Sequence, residues 1–352
     1  MAHSLARALA DYVVEWRAAP WPLPWAERFA RQAPLVLEIG FGNGAFLERE
    51  AKAHPERDHV GIELSWTAAT HLLRRLQRCE IANARALLGD AEFLVRHLFW
   101  PASLAAVFVN HPCPWPKARH TERRLLDRAF LELLGERMQP GAVLTVVTDH
   151  AEYGKWLGEE LRAQRALESC HATLEAPPPP GREPTKYQLK AMAQGIPIHY
   201  FEWRRVPDLV PSGTSAIASE PSMPTLTLFG ASTGTQPFEG FRPQRFRERH
   251  REDEVVVKLE AVYRRVDGTV WLVETFVQEG RLRQQFGIDV VAREDTLLVK
   301  PSSLGDPYPT HGVKRAVWCV GRWLASRDPL LRVRSESLGL AEPSEPWPPA
   351  SS

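Results

Sequence analysis

Three acidic side chains lie early in the chain, each at or just after the end of a short apolar run. Glu38 precedes a glycine-rich loop by two residues, Glu63 ends the second run, and Asp90 follows the third. At these positions a carboxylate can hold the amino group of a methionine moiety (Glu38), accept hydrogen bonds from two ribose hydroxyls (Glu63), or accept one from an adenine amino group (Asp90). The set predicts a site for a cationic ligand that contains adenosine.

The glycine-rich loop has the spacing GxGxG, with Gly40, Gly42 and Gly44. Glycine permits a tight turn and a close approach of the backbone to a ligand. An NAD site is the main alternative, but its pyrophosphate favours donors at a helix N-terminus and the longer GxGxxG spacing. The carboxylates therefore favour the sulfonium cofactor S-adenosylmethionine. The structural alternative is that Glu38 and Asp90 are only turn or cap residues.

A second group of functional residue types follows the fourth apolar run, in the proline-rich segment Asn110–Arg124. Its prolines stiffen the segment, and Trp115 offers a ring face on which a nucleic-acid base can stack. Basic side chains for binding phosphates stand at Lys117, Arg119, His120, Arg123 and Arg124. The combination suits a base brought out of its stack beside a cofactor. The alternative is a buried tryptophan beneath an ordinary solvated basic helix.

Short apolar runs alternate with amphipathic stretches through this part of the chain. Strands are predicted at Leu35–Ile39, His59–Glu63, a run ending near Gly89, Leu104–Asn110 and Ala142–Thr148, and helices at Ala45–Ala53, Ser65–Arg78, Thr121–Glu136 and Ala151–Ala166. The alternation predicts an α/β fold, a doubly wound, mostly parallel Rossmann-like sheet. Ligands of such sheets bind beyond the carboxyl ends of the strands, where the residues above are placed.

Composition divides the chain into four parts. Residues 1–33 are rich in tryptophan and proline, which predicts an N-terminal arm. We expect this arm to pack on the first domain, which comprises residues 34–205. Residues 206–237 are rich in Ser, Thr, Pro and Gly and predict a flexible linker. Residues 238–352 contain β-rich runs, a hairpin signal at Asp267-Gly268 and a helical stretch at Gly312–Ser326. They predict a smaller C-terminal α+β domain.

A basic run opens the C-terminal domain. Arg242–Arg251 contains five arginines in ten residues, with Phe246 among them. One hypothesis is that this run grips the backbone of an RNA. The alternative is a solvated face that the acids of Glu252–Glu254 partly neutralise.

Bulk properties exclude several classes of protein. The chain has 352 residues, 44% of them hydrophobic, and a net charge of +1, which neither demands nor excludes a nucleic-acid partner. A run of about 18 apolar residues and a signal peptide are both absent from the sequence, so we expect no membrane association. The four cysteines lie far apart without a CxxC pair, which argues against a zinc site or a disulfide framework. We expect a cytoplasmic protein without a metal.

The motifs together resemble those of the bacterial tRNA (guanine-N7-)-methyltransferases over roughly residues 30–205. The matching segments are the glycine loop, Gly61-Ile62-Glu63, Gly89-Asp90-Ala91, Pro112-Cys-Pro-Trp-Pro-Lys-Ala-Arg-His120, Thr148-Asp149 and Pro184-Thr-Lys-Tyr-Gln188. The resemblance implies a class I S-adenosylmethionine-dependent enzyme that methylates a guanine of tRNA, at position 46 in the variable loop. It implies cofactor contacts at Glu38, Glu63, Asp90 and Ala91, and substrate contacts at Trp115, Lys117, Arg119, Asp149, Thr185, Lys186 and Gln188. Asp149 would also serve catalysis, and the protein would be a monomer or a homodimer.

Two positions depart from the family pattern. Cys113 replaces an aspartate that serves cofactor binding or catalysis, and Gln188 replaces a glutamate. Cys113 also raises a second mechanism, because cytosine-C5 methyltransferases place the nucleophile of a Pro-Cys pair after the fourth strand. The flanking Trp-Pro-Lys-Ala-Arg-His block is foreign to that group. A third hypothesis is a degenerate methyltransferase fold that only binds RNA.

Overall fold

In a computed structural model of the chain, the described residues are 2–179, 183–209, 222–230, 237–250, 253–293, 295–328 and 330–340. They form two compact units that divide between residues 220 and 221. The boundary lies within the predicted linker 206–237, of which residues 210–221 and 231–236 lie outside the described residues.

The first unit contains a seven-stranded sheet. Its strands are β1 Leu35–Ile39, β2 Asp58–Glu63, β3 Ala84–Leu88, β4 Leu104–Asn110, β5 Met138–Thr148, β6 Leu167–Ser169 and β7 His199–Arg205. They are ordered β3-β2-β1-β4-β5-β7-β6. Strands β1 to β5 run parallel, and β7 is antiparallel to both of its neighbours. The predicted doubly wound, mostly parallel sheet is confirmed.

Helices connect these strands and cover the sheet. They are α1 Ala2–Tyr12, α2 Trp25–Phe29, α3 Ala45–Ala53, α4 Trp66–Arg78, α5 Ala91–Leu98, α6 Arg128–Arg137, α7 Ala151–Ala163 and α8 Lys186–Ala193. All five residues of β1 are buried, which a central parallel strand covered on both faces requires. Among the described residues, no helix has the length and apolar character needed to cross a membrane.

The single helix predicted over Thr121–Glu136 is wrong. The chain forms a short 3-10 helix at Ala118–Arg123 and then begins α6 at Arg128. Asp127 starts the second helix, because its carboxylate accepts a hydrogen bond from the backbone N–H of Phe130 at 3.0 Å. The apolar spacing runs across this break, so the pattern alone did not reveal the cap at Asp127.

The N-terminal segment lies along one edge of the first unit. The indole of Trp16 donates to the carbonyl of Leu88 at 3.1 Å, and that of Trp25 donates to the carbonyl of Leu98 at 3.2 Å. Trp21 packs against Phe93, with ring centroids 5.5 Å apart. The segment therefore holds the end of β3 and the helix α5 that follows it.

The second unit is an antiparallel sheet with one helix on it. Its strands are β8 Leu226–Phe229, β9 Gln244–His250, β10 Asp253–Arg264, β11 Val270–Glu279, β12 Leu282–Arg293, β13 Thr296–Pro301 and β14 Arg332–Glu336. They are ordered β14-β8-β13-β12-β11-β10-β9, and helix α9 spans His311–Arg327. Val317 and Val320 of α9 share a buried core with Val257 and Val273 of the sheet. The predicted smaller α+β domain is confirmed.

Strand β8 differs from the prediction, because it lies inside the segment expected to be a flexible linker. Leu226 and Leu228 are buried in the core of the second unit, and β8 pairs with both β13 and β14. Two alternating leucines are too short a pattern to stand out within a segment rich in Ser, Thr and Pro.

A buried ion cluster joins α3 to α4. The carboxylate of Glu48 accepts hydrogen bonds from Lys52 Nζ at 2.7 Å, Arg75 Nη1 at 2.8 Å and Cys79 Sγ at 3.2 Å. Burial raises the pKa of Glu48, but the hydrogen bonds from these three side chains outweigh it and lower the pKa from 4.5 to about 2. Because α3 follows the glycine loop directly, the cluster fixes the helix that leads away from that loop.

We expect Glu48→Gln to remove stability that depends on pH. A folded-state pKa below the unfolded-state value stabilises the fold above about pH 4.5, and this contribution is lost as the pH falls toward 2. The variant should lose up to about 3 kcal/mol of unfolding free energy at pH 7 and clearly less at pH 3. Urea unfolding followed by circular dichroism at both pH values measures the loss.

Glu50→Gln, in the same helix, makes the same change of charge and serves as the control for Glu48→Gln. We expect it to change the unfolding free energy by less than about 0.5 kcal/mol. A Glu48→Gln deficit of equal size at both pH values would contradict the lowered pKa.

Candidate active site

The carboxyl ends of the central strands meet at one edge of the first sheet. Backbone hydrogen bonds tie each loop to the adjacent strand: Gly40 N–H donates to Ile62 at 2.8 Å, Gly89 N–H to Glu63 at 3.1 Å, and His111 N–H to Val147 at 2.7 Å. The predicted residues Glu38, Glu63, Asp90 and Asp149 therefore stand at or beside the ends of β1, β2, β3 and β5.

The glycine loop borders open space. Gly40 and Gly42 have φ values of +73° and +53°, and a Cβ atom built on either would meet no atom within 4 Å among the described residues. Gly44 differs, because its Cβ would lie 2.5 Å from Leu72 Cδ1 and 2.9 Å from Leu72 Cα. Gly40 and Gly42 thus leave room for a ligand beside the backbone, whereas Gly44 allows α3 to pack closely on α4.

Glu63 holds the glycine loop in place. Its Oε2 accepts a hydrogen bond from Gly42 N–H at 3.0 Å, and its Oε1 accepts from Leu64 N–H at 2.9 Å and Ser65 N–H at 3.0 Å. A carboxylate has about four lone-pair positions. Three backbone donors therefore leave capacity for a ligand hydroxyl, so Glu63 can orient the loop and accept from a ligand together.

Glu38 and Asp90 each have a partner within the protein. Glu38 is 2% exposed, and its Oε1 accepts from the side-chain amide of Asn110, at the end of β4, at 3.0 Å. Asp90 Oδ1 accepts from Phe93 N–H at 2.9 Å and caps α5, whose first residue is Ala91. The cap role weighed for Asp90 from the sequence is therefore present. Glu38 is a buried carboxylate that couples β1 to β4.

Asp149 lies beside a histidine that the sequence analysis did not select. His111 Nδ1 and Asp149 Oδ1 are 3.1 Å apart, the His111 side chain is 6% exposed and that of Asp149 is 38% exposed. The ring of Tyr187, which is 61% exposed, lies with its centroid 5.6 Å from that of His111. The position of His111 directly after a predicted strand was the available signal. Its pairing with Asp149 depends on β4 and β5 being neighbours.

Trp115 is enclosed by its own loop. Its ring is half-buried, Arg123 lies 5.1 Å from the ring centroid, and the His120 ring centroid is 6.1 Å away. A base that stacks on Trp115 must therefore displace Arg123 or use the opposite ring face. Cys113, Lys117 and Arg119 are exposed on the same loop.

The prediction that Arg124 contacts phosphate is wrong. Arg124 is 7% exposed, its Nε donates to the carbonyl of Pro114 at 2.9 Å, and its guanidinium lies 4.9 Å from the Trp156 ring centroid. Arg124 therefore anchors the proline-rich loop to α7. Residue type alone did not separate it from Lys117 and Arg119, which remain exposed.

Thr185 and Gln188 form a capping box at the start of α8. Gln188 N–H donates to Thr185 Oγ1 at 3.2 Å, and Thr185 N–H donates to Gln188 Oε1 at 2.8 Å. The Gln188 amide also donates to the Tyr200 hydroxyl at 2.9 Å, and Gln188 is 2% exposed. The structure thus differs from the predicted substrate contact at Gln188, which has an internal role, while Lys186 is exposed.

Helix α8 begins next to the helix that follows the glycine loop. The guanidinium of Arg49 in α3 donates to the carbonyls of Glu183 at 3.1 Å and Pro184 at 3.4 Å. This contact and the Tyr187–His111 contact place the start of α8 against the edge formed by the strand ends. Among the described residues, no cluster of three or more His, Cys, Asp or Glu side chains is arranged to hold a metal ion.

Comparison with known proteins gives a consistent result. A family model described as “Putative methyltransferase” matches residues 32–201. The chain is similar to a tRNA (guanine-N(7)-)-methyltransferase of Halorhodospira halophila, 40% identical over 181 residues that cover 51% of this chain and 78% of the relative. A tRNA (guanine-N(7)-)-methyltransferase of Deinococcus radiodurans is 34% identical over 309 residues, 86% of this chain and 92% of the relative.

The similarity reaches beyond the first unit. A tRNA (guanine-N(7)-)-methyltransferase of Thermotoga maritima is 29% identical over 302 residues, 84% of this chain and 90% of the relative. Because the first unit ends at residue 220, matches of this length include part of the second unit. The similarity to these relatives thus includes residues of both units.

We expect Arg124→Ala to destabilise the protein by about 2–3 kcal/mol, because it removes a buried cation together with its hydrogen bond and ring contacts. Arg119→Ala, on the same loop but exposed, should change the unfolding free energy by less than about 0.5 kcal/mol. Urea unfolding of both variants measures the difference. Equal stability of the two variants would contradict the anchoring role of Arg124.

Proposed function

Because the chain belongs to the tRNA (guanine-N(7)-)-methyltransferase family, we propose that it transfers a methyl group from S-adenosylmethionine to N7 of a guanine in tRNA. The observation that supports the proposal is the position of Glu38, Glu63, Asp90 and Asp149 at or beside the carboxyl ends of parallel strands of one sheet. They flank a glycine loop with open space next to its backbone. The proposed target is the guanine at position 46 of the variable loop, and the proposed place of action is the cytoplasm.

The residues at this edge fit S-adenosylmethionine. The open space beside Gly40 and Gly42 admits a ligand against the loop backbone, and Glu63 retains a lone pair for a ribose hydroxyl. Glu38 is assigned to the amino group of the methionine part, and Asp90 with Ala91 to the adenine. The bound cofactor supplies an activated methyl group on a positively charged sulfur.

The proposed methyl transfer requires no proton transfer by the protein before the bond to the methyl group forms. Guanine N7 has an in-plane lone pair and carries no proton near neutral pH, so its attack on the methyl carbon needs no general base. The protein has to align N7 with the methyl group, exclude water and tolerate a base that becomes cationic. Trp115, Lys117 and Arg119 on the stiff loop, with Thr185 and Lys186 at the start of α8, are assigned to hold the tRNA.

Asp149 is assigned to the cationic product. Its side chain is 38% exposed and lies 3.1 Å from His111, so it is accessible and also fixed in direction. A carboxylate next to the methylated ring favours the developing positive charge. His111 contributes as a positioning residue, because it contacts Asp149 from within the protein.

Cys113 is not required as a nucleophile in this reaction. It is exposed on the proline-rich loop, and guanine N7 attacks the methyl group directly. The cysteine therefore occupies the family's aspartate position without contributing a negative charge. We assign it a packing or hydrogen-bonding role near the cofactor.

The proposal is tested by incubating the purified chain with labelled S-adenosylmethionine and tRNA that lacks 7-methylguanosine, followed by nucleoside analysis. We expect label in 7-methylguanosine, and we expect Cys113→Ser to form the same product at a rate within about tenfold of wild type. Label in 5-methylcytosine that disappears in Cys113→Ser would support the cytosine mechanism instead. Cofactor binding without product, or no binding at all, would support a role as an RNA-binding module.

We expect Asp149→Asn to lower kcat by about 10- to 100-fold, equivalent to about 1.4–2.8 kcal/mol of barrier, because it removes the charge and retains the shape. The affinity for S-adenosylmethionine should change less than about threefold, since the assigned cofactor contacts lie on other strands. Single-turnover methylation and calorimetric titration with the cofactor measure the two quantities.

Glu152→Gln is the matched control for Asp149→Asn, because Glu152 is an exposed carboxylate one turn further along, paired with Lys155 at 2.8 Å. Its turnover should equal that of the wild type. If Asp149→Asn also keeps wild-type turnover, Asp149 does not belong to the active site.

A further inference from the structure

The basic run Arg242–Arg251 forms a strand, and the strand separates its side chains into two sets. Residues 244–250 are β9, in which successive side chains point to opposite faces. Phe246 is 6% exposed, and Glu248 accepts hydrogen bonds from His311 at 2.6 Å and Arg315 at 2.8 Å on α9. These side chains belong to the interior of the second unit, so the hypothesis that this run grips an RNA backbone can apply only to its outward side chains.

The remaining side chains of β9 lie on the opposite face of the sheet. Arg245, Arg247 and Arg249 are all exposed. Helix α9 covers the other face through its contacts with the buried core. The arginines therefore stand on the face that α9 leaves uncovered.

The strand register extends this basic character inward from the edge. Arg245 is opposite Lys258 on β10, which is opposite Phe276 on β11. In the next row, Arg247 is opposite Val256, which is opposite Gln278, which is opposite Arg283 on β12. Val256 is buried at 6% exposed. We call the other side chains of these two rows the basic face, whose members are Arg245, Arg247, Lys258, Phe276, Gln278 and Arg283.

The basic face combines positive charge with aromatic and amide groups. Lys258 Nζ lies 5.1 Å from the ring centroid of Phe276, which holds the ammonium group over the sheet. Acids flank the face on two sides. Glu274 on β11 accepts hydrogen bonds from Gln285 at 3.1 Å and Tyr263 at 3.0 Å. Glu254 pairs with Arg247 at 3.3 Å, and both partners are more than half exposed. Exposed pairs of this kind are weak, so phosphate can compete for Arg247.

Protection of the sheet edge does not account for this arrangement. Charged side chains on an edge strand discourage pairing with other chains, and that explanation covers β9. It does not cover Lys258 on β10, because that strand is paired on each side. Positive charge that continues onto an inner strand requires a different explanation.

We propose that the basic face binds the sugar-phosphate backbone of the tRNA substrate, an inference that rests on the proposed function. Lysine and arginine neutralise phosphates, and amide side chains such as Gln278 hydrogen-bond to phosphate or to the 2′-hydroxyl. Protein side chains cannot read the bases in the deep, narrow major groove of an RNA helix. A broad sheet surface can instead contact the backbone and follow the shape of such a helix. The contact is therefore independent of sequence and adds affinity for tRNA.

The test compares the full-length wild type with the double variant Arg245→Gln/Lys258→Gln, in filter binding of unmodified tRNA between 50 and 200 mM salt. Each lost phosphate contact should reduce the slope of log K against log salt by about 0.7–0.9. We expect the slope to fall by about 1.5 and the affinity at low salt to fall about tenfold or more. The affinity for S-adenosylmethionine should stay unchanged.

Three further variants keep the test decisive. Arg332→Gln/Arg334→Gln removes two charges from β14, at the other edge of the same sheet, and should keep the wild-type slope. Arg245→Lys retains the charge and should also keep it. The proposal is overturned if Arg245→Gln/Lys258→Gln keeps the wild-type slope, or if the β14 variant loses as much slope. If circular dichroism shows that Arg245→Gln/Lys258→Gln does not fold, Arg247→Gln/Arg283→Gln replaces it, and a wild-type slope in that variant overturns the proposal.

Failure of this inference is distinguishable from failure of the proposed function. If the wild type forms no 7-methylguanosine but binds tRNA with a slope that depends on Arg245 and Lys258, the basic face stands and the methylation proposal falls. If the wild type methylates tRNA and the double variant keeps both its slope and its rate at limiting tRNA, the basic face falls alone. Binding to anionic vesicles that is lost in the double variant, with tRNA binding intact, would also overturn it.

Discussion

The sheet edge that we propose as the active site depends on carboxylates that neutral donors hold at the ends of parallel strands. Backbone amides hold Glu63, a side-chain amide holds Glu38, and a helix-capping amide holds Asp90. A buried or half-buried carboxylate must be hydrogen-bonded to be tolerated. These donors are neutral amides, so they hold the carboxylates without supplying a positive charge. Glu48 shows the contrast, because Lys52 and Arg75 neutralise it.

The sequence allowed much of the framework to be predicted, because its signals are local. A few adjacent residues are enough to predict a buried strand or a glycine turn. Strands β1 and β4 accordingly have the predicted bounds. The errors arose where local pattern and tertiary partner disagree. The helix over residues 121–136 is interrupted by the cap at Asp127, and Arg124 was assigned by charge although Pro114 and Trp156 enclose it. His111 was missed because its partner, Asp149, belongs to a different strand.

The two departures from the family pattern differ in their physical consequences. A capping box accepts glutamine as well as glutamate at its third position, and the Gln188 amide donates to Tyr200, which a carboxylate cannot do. This change therefore preserves the start of α8. Cys113 has no such compensation, because an exposed thiol on the proline-rich loop replaces a charge. In the reaction that we propose, stabilising a cationic base therefore falls mainly to Asp149, which contacts His111 at 3.1 Å.

In both units, charged side chains divide into buried ones that stabilise the fold and exposed ones that reach solvent. In the first unit, Arg124 serves the fold while Arg119 reaches solvent from the same loop. In the second, Glu248 pairs inward with Arg315 while Arg245 and Arg247 face outward from the same strand. A count of basic residues in the sequence does not distinguish buried from exposed charges, whereas the alternation of side chains along a strand does. Fewer basic side chains are therefore available to a nucleic acid than the composition suggests. Those on the basic face lie in a fixed register across the sheet. In the binding that we propose, a few of these side chains account for most of the salt dependence.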